Sequence, residues 1–567
     1  MTKMRAAKFC LSIAAVVFAG SAHAAAALKN PDALKAACPG FAGRTIDAKT
    51  MTLPTSGGTV KSAEIATLGS ASYCKIVGAL MPVDPKSYPI NFQINLPLAW
   101  NGRAVQYGGG GYNGVLITGL DPLRDQPLDL PPPVARGFMT FGTDSGHQAS
   151  ALPEIMAFAL NDEALVNFAY ASYKKVRDTA LSIATDFYGR KPERLYFFGG
   201  SEGGREGLTM AQRFPADYDG IVSTVPVINW VGLQSVGNRS GILQQNGGWL
   251  NGPKVTLVRK AVVAACDADD GLADGIIGRY ADCGKKFDAK TLRCADGKDT
   301  GDTCLSDPQI ALVQALHSPF NIGFPVANGV RSYPAYNYGH EDQPGSMQDW
   351  VTGPKAAEFP LPAPEQQGRI WYYGSGAIRY FFAGDAKYNS LKFSPADFRK
   401  RILEISALMD STNPDLSRFR KYGHKLILKE NAHDYGQSAN AGIDYFKSVV
   451  ARMGPKAVDQ FARLYVTPGV NHAGAGVSGT DGSPVPRAVD LLGVLDEWVT
   501  NNKAPDTLTQ VAQASSAPFA TLSSRPMCRY PGYPHYRGGP AKEASSFVCT
   551  DPAKPAPAGV AKVSGRN

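Results

Sequence analysis

Ser201, Asp434 and His472 are the residues whose types and order in this sequence suit nucleophilic chemistry. Ser201 stands in Tyr196–Leu208, YFFGGSEGGREGL, where an apolar run stops at glycines. A serine hydroxyl attacks a carbonyl only if a base takes its proton, and the base needs a carboxylate to hold its tautomer. His472 follows the strand-like run Arg463 to Val466 through Thr467-Pro468-Gly469-Val470-Asn471. Asp434 follows the strand-like Lys425 to Leu428 through a short loop, Lys429 to His433. His147, His317, His340, His424 and His535 read as surface or structurally satisfied groups, and His433 is too near Asp434 to be preferred as base.

The elements that must position these groups are strand ends. Arg194 to Phe198 reads as a short strand and Glu202 to Arg213 as a helix, so Ser201 falls on the turn between them. Gly199 and Gly203 complete Gly-x-Ser-x-Gly, in which small flanking residues permit a sharp, strained turn that lifts the hydroxyl clear. Catalytic groups of open α/β sheets gather beyond the carboxyl ends of strands, and the order Ser, Asp, His is that of α/β-hydrolases. Val105-Gln106-Tyr107 runs into Gly108 to Gly111, a loop whose bare backbone can bring N–H groups to an oxyanion. The expected pair of donors is the N–H of Gly108 and that of Glu202.

The 567 residues, 44% hydrophobic and 19% charged, suffice for a large core and two domains. Lys3, Arg5 and Lys8 precede an apolar run from Phe9 to Ala19, and Ala22-His23-Ala24 offers a small-x-small cleavage site. That pattern describes a secretory signal peptide at 1–24, hence a secreted or periplasmic protein. No later window of about eighteen apolar residues occurs, so a membrane-spanning helix is not expected. The net charge of +9, three units of it in the leader, is spread along the chain and argues little for nucleic acid. Without Cys10, eight cysteines remain, an even number that favours disulfides in an exported chain. Sequence neighbours suggest Cys38 with Cys74, Cys266 with Cys283, Cys294 with Cys304 and Cys528 with Cys549, although eight cysteines allow about a hundred connectivities.

One more stretch carries chemistry. Asp267, Asp270 and Asp274, separated by glycine and small residues, can turn oxygens onto one hard cation such as Ca²⁺ at about 2.3–2.6 Å. The spacing is not that of an EF-hand, and a bridge from Cys266 to Cys283 would pre-order the loop.

Taken together, Gly-Gly-Ser-Glu-Gly-Gly-Arg-Glu-Gly, Thr143-Asp144-Ser145-Gly146-His147, Pro468-Gly469-Val470-Asn471-His472 and the run from Cys266 to Ile276 resemble the tannase and feruloyl esterase family. The resemblance extends from Cys38 to Cys549. It implies an α/β-hydrolase core at 25–227 and 404–567, interrupted by a lid domain at 228–403 that holds a structural Ca²⁺. It also implies the four cysteine pairs above, and adds the backbone carbonyls of Leu272 and Ile276 to the cation ligands. Two departures stand out. Many members have bridged cysteines immediately before the serine and after the histidine, where this chain has Gly200 and Ala473, and the frequent His-Gly before the acid reads Glu430-Asn431. Substrate contacts are expected from the lid's aromatic cluster, Trp350, Trp371, Tyr373 and Phe381, with Arg379 placed to meet a carboxylate. The expected function is hydrolysis of small aromatic esters, feruloyl or galloyl, through an acyl-enzyme. The alternatives are a terephthalate or phthalate monoester hydrolase, a peptidase on the same fold, and a calcium-stabilised binding protein without activity.

Overall fold

The computed structural model describes residues 30–553, and the expected leader at 1–24 lies outside the described residues. The main sheet is built from β1 (Thr45–Ile46), β2 (Gly58–Leu68), β3 (Ala71–Leu80), β4 (Ile90–Pro97), β5 (Arg103–Tyr107), β6 (Met139–Thr143), β7 (Arg194–Gly200), β8 (Gly220–Thr224), β9 (Lys425–Asn431) and β10 (Ala462–Thr467). Their spatial order is β1-β2-β3-β4-β6-β5-β7-β8-β9-β10. The first four pair antiparallel as far as β6, and from β6 to β10 every pairing is parallel. A parallel sheet covered on both faces needs strands apolar on both sides, and β8 and β10 are buried at every residue. The strands run further than their apolar runs suggest. β7 continues to Gly200 and β9 to Asn431, so the loop before Asp434 shrinks to Ala432 and His433.

Alternation along β7 divides the core. Leu195 and Phe197 face helices α1 (Ser172–Tyr188), α2 (Glu202–Arg213) and, from later in the chain, one at Ala439–Met453. Tyr196 and Phe198 face the opposite layer, where Leu491, Leu495 and Trp498 of the helix Leu491–Asn501 cover Val222, Ile427 and Tyr465. The helices therefore lie on both sides of the sheet and leave the carboxyl ends of β5, β7, β9 and β10 free to carry a site.

Between Thr224 and Lys425 no described segment joins the main sheet. That stretch builds its own core from α3 (Trp230–Leu243), α4 (Gly252–Cys266), α5 (Arg369–Gly376) and α6 (Arg399–Met409), continued by Tyr112, Phe158 and Phe168 from the connections after β5 and β6. The boundary expected at 403 falls inside α6, whose Ile402, Ile405 and Met409 all belong to this core. The helix therefore packs with the insertion on both sides of residue 403.

Disulfides join Cys38 to Cys74, Cys266 to Cys283, Cys294 to Cys304 and Cys528 to Cys549. Each closes a short loop and restricts the unfolded chain, a stabilisation of about 2–4 kcal/mol apiece. No helix among the described residues is long and apolar enough to cross a membrane.

Candidate active site

Ser201 sits where β7 turns into α2, with φ 60° and ψ −123°, a conformation rarely adopted by a residue with a side chain. The turn is possible because its neighbours lack one: a Cβ on Gly199 would lie 2.2 Å from Gly203 O, and one on Gly203 would lie 2.6 Å from Gly109 O. Ser201 N–H donates to Thr224 O at 2.9 Å, which ties the turn to the adjacent strand end. The hydroxyl thus points away from the sheet from a backbone that packing holds under strain.

The residue it meets is His472. Ser201 Oγ lies 2.9 Å from His472 Nε2, and His472 Nδ1 lies 2.7 Å from Asp434 Oδ2. A carboxylate only accepts, so Nδ1 carries the proton and Nε2 is left to accept from Ser201. Asp434 is fixed in turn: Oδ1 accepts from Gly436 N–H at 2.7 Å and Gln437 N–H at 3.0 Å. Gly436 has no space for a side chain, since a Cβ there would stand 2.7 Å from His472 Cγ.

The loop bearing His472 is held by hydrogen bonds and buried charge. Gly469 N–H donates to His433 Nδ1 at 2.9 Å, and Asn431 Nδ2 donates to Asn471 O at 2.7 Å. Asn431 Oδ1 accepts from Lys429 Nζ at 2.9 Å, and Lys429 is paired with Asp125 at 2.6 Å with neither side chain exposed. At Gly200 a Cβ would meet Arg124 Cδ at 2.7 Å and Thr224 Oγ1 at 2.9 Å, so Arg124 fills the space beside the turn.

The glycine loop corrects one expectation. Gly108 N–H donates to Phe198 O at 2.9 Å, extending the β5–β7 ladder by one bond, and is not free to hold an oxyanion. The next two amides are also taken, Gly109 N–H by Glu206 Oε2 at 2.9 Å and Gly110 N–H by Asn113 Oδ1 at 2.6 Å. The part of the loop that lines the same cleft as Ser201 is Gly111 and Tyr112. Glu202 is the first residue of α2, where amides lack a partner within the helix. Its side chain faces away from solvent and takes a bond from Arg205 Nε at 2.6 Å; burial pushes the carboxyl up to about 7 against the pull of Arg205.

A cleft opens in front of the hydroxyl. Gly111, Tyr112, Ser201, Glu202, Gly436 and His472 form the wall on the sheet side. Trp230, Leu233, Gln234, Trp350, Ile370 and Tyr373 form the other, and Val227 also lines the cleft. Trp350 stands edge-on to His472 with ring centroids 4.8 Å apart.

A protein-family model, tannase and feruloyl esterase, matches residues 74–550. The chain belongs to the tannase and feruloyl esterase family. It is a carboxylic ester hydrolase. An uncharacterized esterase of Agrobacterium fabrum is 35% identical over 91% of this chain and 93% of its own. The mono(2-hydroxyethyl) terephthalate hydrolase of Piscinibacter sakaiensis is 29% identical, with 85% of each chain covered. The fold is shared with the crystal structure of feruloyl esterase B from Aspergillus oryzae, at TM-score 0.73 and 22% identity over 91% of this chain and 100% of that one.

In this esterase the aromatic residues expected at the substrate divide. Trp350 and Tyr373 line the cleft, whereas Trp371 is fully buried against Gly241 and Phe381 packs behind the wall on Trp230 at 4.8 Å. Arg379 does not face the cleft. Its Nη1 and Nη2 bond both oxygens of Glu154 at 2.7 Å. Trp230, Leu233 and Gln234, absent from the expectation, follow β8 at helical spacing i, i+3, i+4 behind the Asn229 cap. Position beyond the carboxyl end of a strand is the signal that could have found them.

The acidic loop of the esterase folds on its own backbone. Asp267 Oδ2 accepts from Gly275 N–H at 2.9 Å, Asp270 from Leu272 and Gly278 N–H at 3.1 and 2.9 Å, and Asp274 from Ile276 N–H at 3.0 Å. Arg525 Nη2 is the cation on Asp274, at 2.6 Å. Burial, with repulsion from Asp274, pushes Asp270 well above the carboxylate range and Asp267 to about 6. Asp267 Oδ1 is buried without a partner. Among the described residues no three His, Cys, Asp or Glu side chains close on one point. The unpaired buried oxygen of Asp267, on a loop whose carboxylates crowd one another, fits a hard cation whose shell the backbone carbonyls of Leu272 and Ile276 would complete.

Proposed function

We propose that this chain is an exported serine esterase that cleaves small esters of neutral aromatic acids through an acyl-enzyme. The observation that carries the reading is the unbroken relay from Ser201 Oγ through His472 to Asp434, at 2.9 and 2.7 Å, at the mouth of an aromatic cleft. His472 Nε2 takes the serine proton as Oγ attacks the ester carbonyl, and Asp434 steadies the imidazolium that forms. The N–H of Glu202 and backbone from the Gly111–Tyr112 end of the glycine loop receive the oxyanion. His472 returns the proton to the leaving alcohol, then activates water to release the acid.

The insertion after Thr224 acts as a lid domain on an α/β-hydrolase core, its limits 228 and about 409 rather than 403. The disulfides suit an oxidising compartment, in keeping with a leader at 1–24. Asp267, Asp270 and Asp274, with the carbonyls of Leu272 and Ile276, hold a Ca²⁺ that neutralises the buried carboxylates and orders the lid. It takes no part in bond breaking.

None of the cleft-lining side chains is a lysine or arginine, and Arg379 is already paired with Glu154. A charged acyl group would lose its hydration there without a partner. This favours feruloyl- or galloyl-type esters over terephthalate monoesters. The second reading retains one observation, the Arg369 guanidinium 5.4 Å above the Trp350 ring at the edge of the cleft. Steady-state kinetics on methyl ferulate, methyl gallate, mono(2-hydroxyethyl) terephthalate and a chromogenic peptide decides between them. The proposal expects the highest kcat/KM on a neutral aromatic ester and none on the peptide. A preference for the terephthalate monoester would replace it with the second reading.

A further inference from the structure

Glu206 lies five residues beyond Ser201, on the face of α2 turned toward the glycine loop, with no exposed surface. Its carboxylate accepts three bonds: Oε2 from Gly109 N–H at 2.9 Å, Oε1 from Tyr173 Oη at 2.5 Å and from Asn113 Nδ2 at 2.7 Å. Asn113 is itself a link, because its Oδ1 accepts from Gly110 N–H at 2.6 Å. One buried carboxylate therefore ties two successive amides of the loop, one directly and one through Asn113. The loop answers with a bond in the other direction, Gly203 N–H donating to Gly109 O at 3.2 Å. Clearance is minimal, since a Cβ on Gly108 would lie 2.7 Å from Gly203 Cα and 3.0 Å from Glu206 Oε2. The loop's far end is braced separately, where His147 Nε2 meets Tyr112 O at 2.8 Å.

A carboxylate held in the interior is costly, and Arg205, the nearest cation on its helix, bonds Glu202. Packing alone would be served as well by an apolar residue of similar volume. What a carboxylate adds is fixed acceptor geometry toward an N–H that cannot turn away.

We propose that Glu206 is a positioning residue: from the helix that carries the nucleophile it fixes the backbone of the loop from Gly108 to Tyr112, so that the loop and the Glu202 N–H converge on one oxyanion. The inference rests on the serine-esterase reading given above. Glu206 touches no reacting atom; it acts through Gly109 and Asn113.

Glu206→Gln tests this, because the new amide must set its NH₂ against either Gly109 N–H or Asn113 Nδ2, and both are donors. Loss of a direct oxyanion donor costs about 10²–10³ in kcat, so displacing the loop is expected to lower kcat by about 10–100-fold, with KM within about threefold. Affinity for an arylboronic acid, which becomes tetrahedral on Ser201, is expected to fall in parallel with kcat, while affinity for the matching arylcarboxylate stays constant. Asn113→Ala, which releases Gly110 N–H but leaves Glu206 in place, is expected to change kcat and boronate binding in the same direction, and it keeps the test available if Glu206→Gln does not fold. Lowered thermal stability with wild-type kcat and boronate affinity per folded molecule would overturn the proposal and leave Glu206 a packing residue. Ser201→Ala, assayed alongside, separates the two levels. Turnover surviving in Ser201→Ala defeats the serine reading itself, whereas its loss beside an unaffected Glu206→Gln defeats only the positioning role.

Discussion

The two walls of the cleft are held by different physics. On the sheet side every polar group is fixed by directional bonds: Ser201 by the strained turn, Asp434 by two backbone N–H groups, the glycine loop by Glu206 and Asn113. On the insertion side the contacts are rings and aliphatic chains, Trp230, Leu233, Trp350, Ile370 and Tyr373, placed by helix packing. Directional bonds tolerate little displacement, while apolar contact degrades with area. The first wall suits chemistry and the second suits selection, and substitutions should separate them.

The largest effects belong to the sheet side. Ser201→Ala and His472→Ala are each expected to lower kcat by about 10⁴-fold or more at unchanged melting temperature, measured by ester hydrolysis and thermal denaturation. Asp434→Asn keeps the shape but favours the wrong tautomer, for a loss of up to about 10⁴-fold; a neutral outcome would mean that another acid orients His472. On the insertion side, removal of Ca²⁺ by a chelator should lower the melting temperature, with about 2.7 kcal/mol lost from a state in which the ion stood a hundredfold above its Kd. Turnover should persist until the lid loosens, so a folded but inactive chelated protein would break the division between the walls.

Acid should withdraw one buried histidine's contribution on each side. His147 holds Tyr112 O on the sheet side and is stacked on Phe158, while His317 meets Tyr336 O in the insertion and is stacked on Tyr338. Burial lowers each from the ordinary 6.5 to about 4, so both stay neutral in the fold. The unfolded chain takes up protons first, and stability present above pH 6.5 is lost as pH falls toward 4, at about 1.4 kcal/mol per unit for each histidine. Glu202 and Asp267, held up to about 7 and about 6, act in the opposite direction, so the check is a difference: in denaturant melts between pH 7 and 4.5 the advantage of wild type over His317→Asn should shrink as pH falls. The smallest effect is on selection: Trp350→Ala is expected to raise KM about tenfold, as loss of one aromatic contact does, with a much smaller change in kcat.

The same division decided what could be read from the sequence. That Ser201, Asp434 and His472 meet was legible because each follows a strand with an apolar run that faces both layers, and a strand end fixes where the next residue goes. The four disulfides followed sequence proximity. The free oxyanion amide was not legible, because Gly108 N–H is taken by Phe198 O, an assignment that depends on the register of β5 on β7. Nor was the insertion wall. Trp371 and Tyr373 are two apart on one helix, so they face different ways, and only the position of α3 determines that Trp371 turns inward onto Gly241. Nor was the pairing of Arg379 legible, because its partner, Glu154, is 225 residues away in sequence.

The central claim is that Ser201 is the atom-bearing nucleophile, made reactive by His472. Treatment with an aryl fluorophosphonate followed by intact-protein and peptide mass spectrometry tests it most directly. One adduct on Ser201, absent from Ser201→Ala, strongly slowed in His472→Ala and formed in step with loss of esterase activity, is the predicted result. An adduct on another residue, or full ester turnover by protein labelled at Ser201, would contradict it.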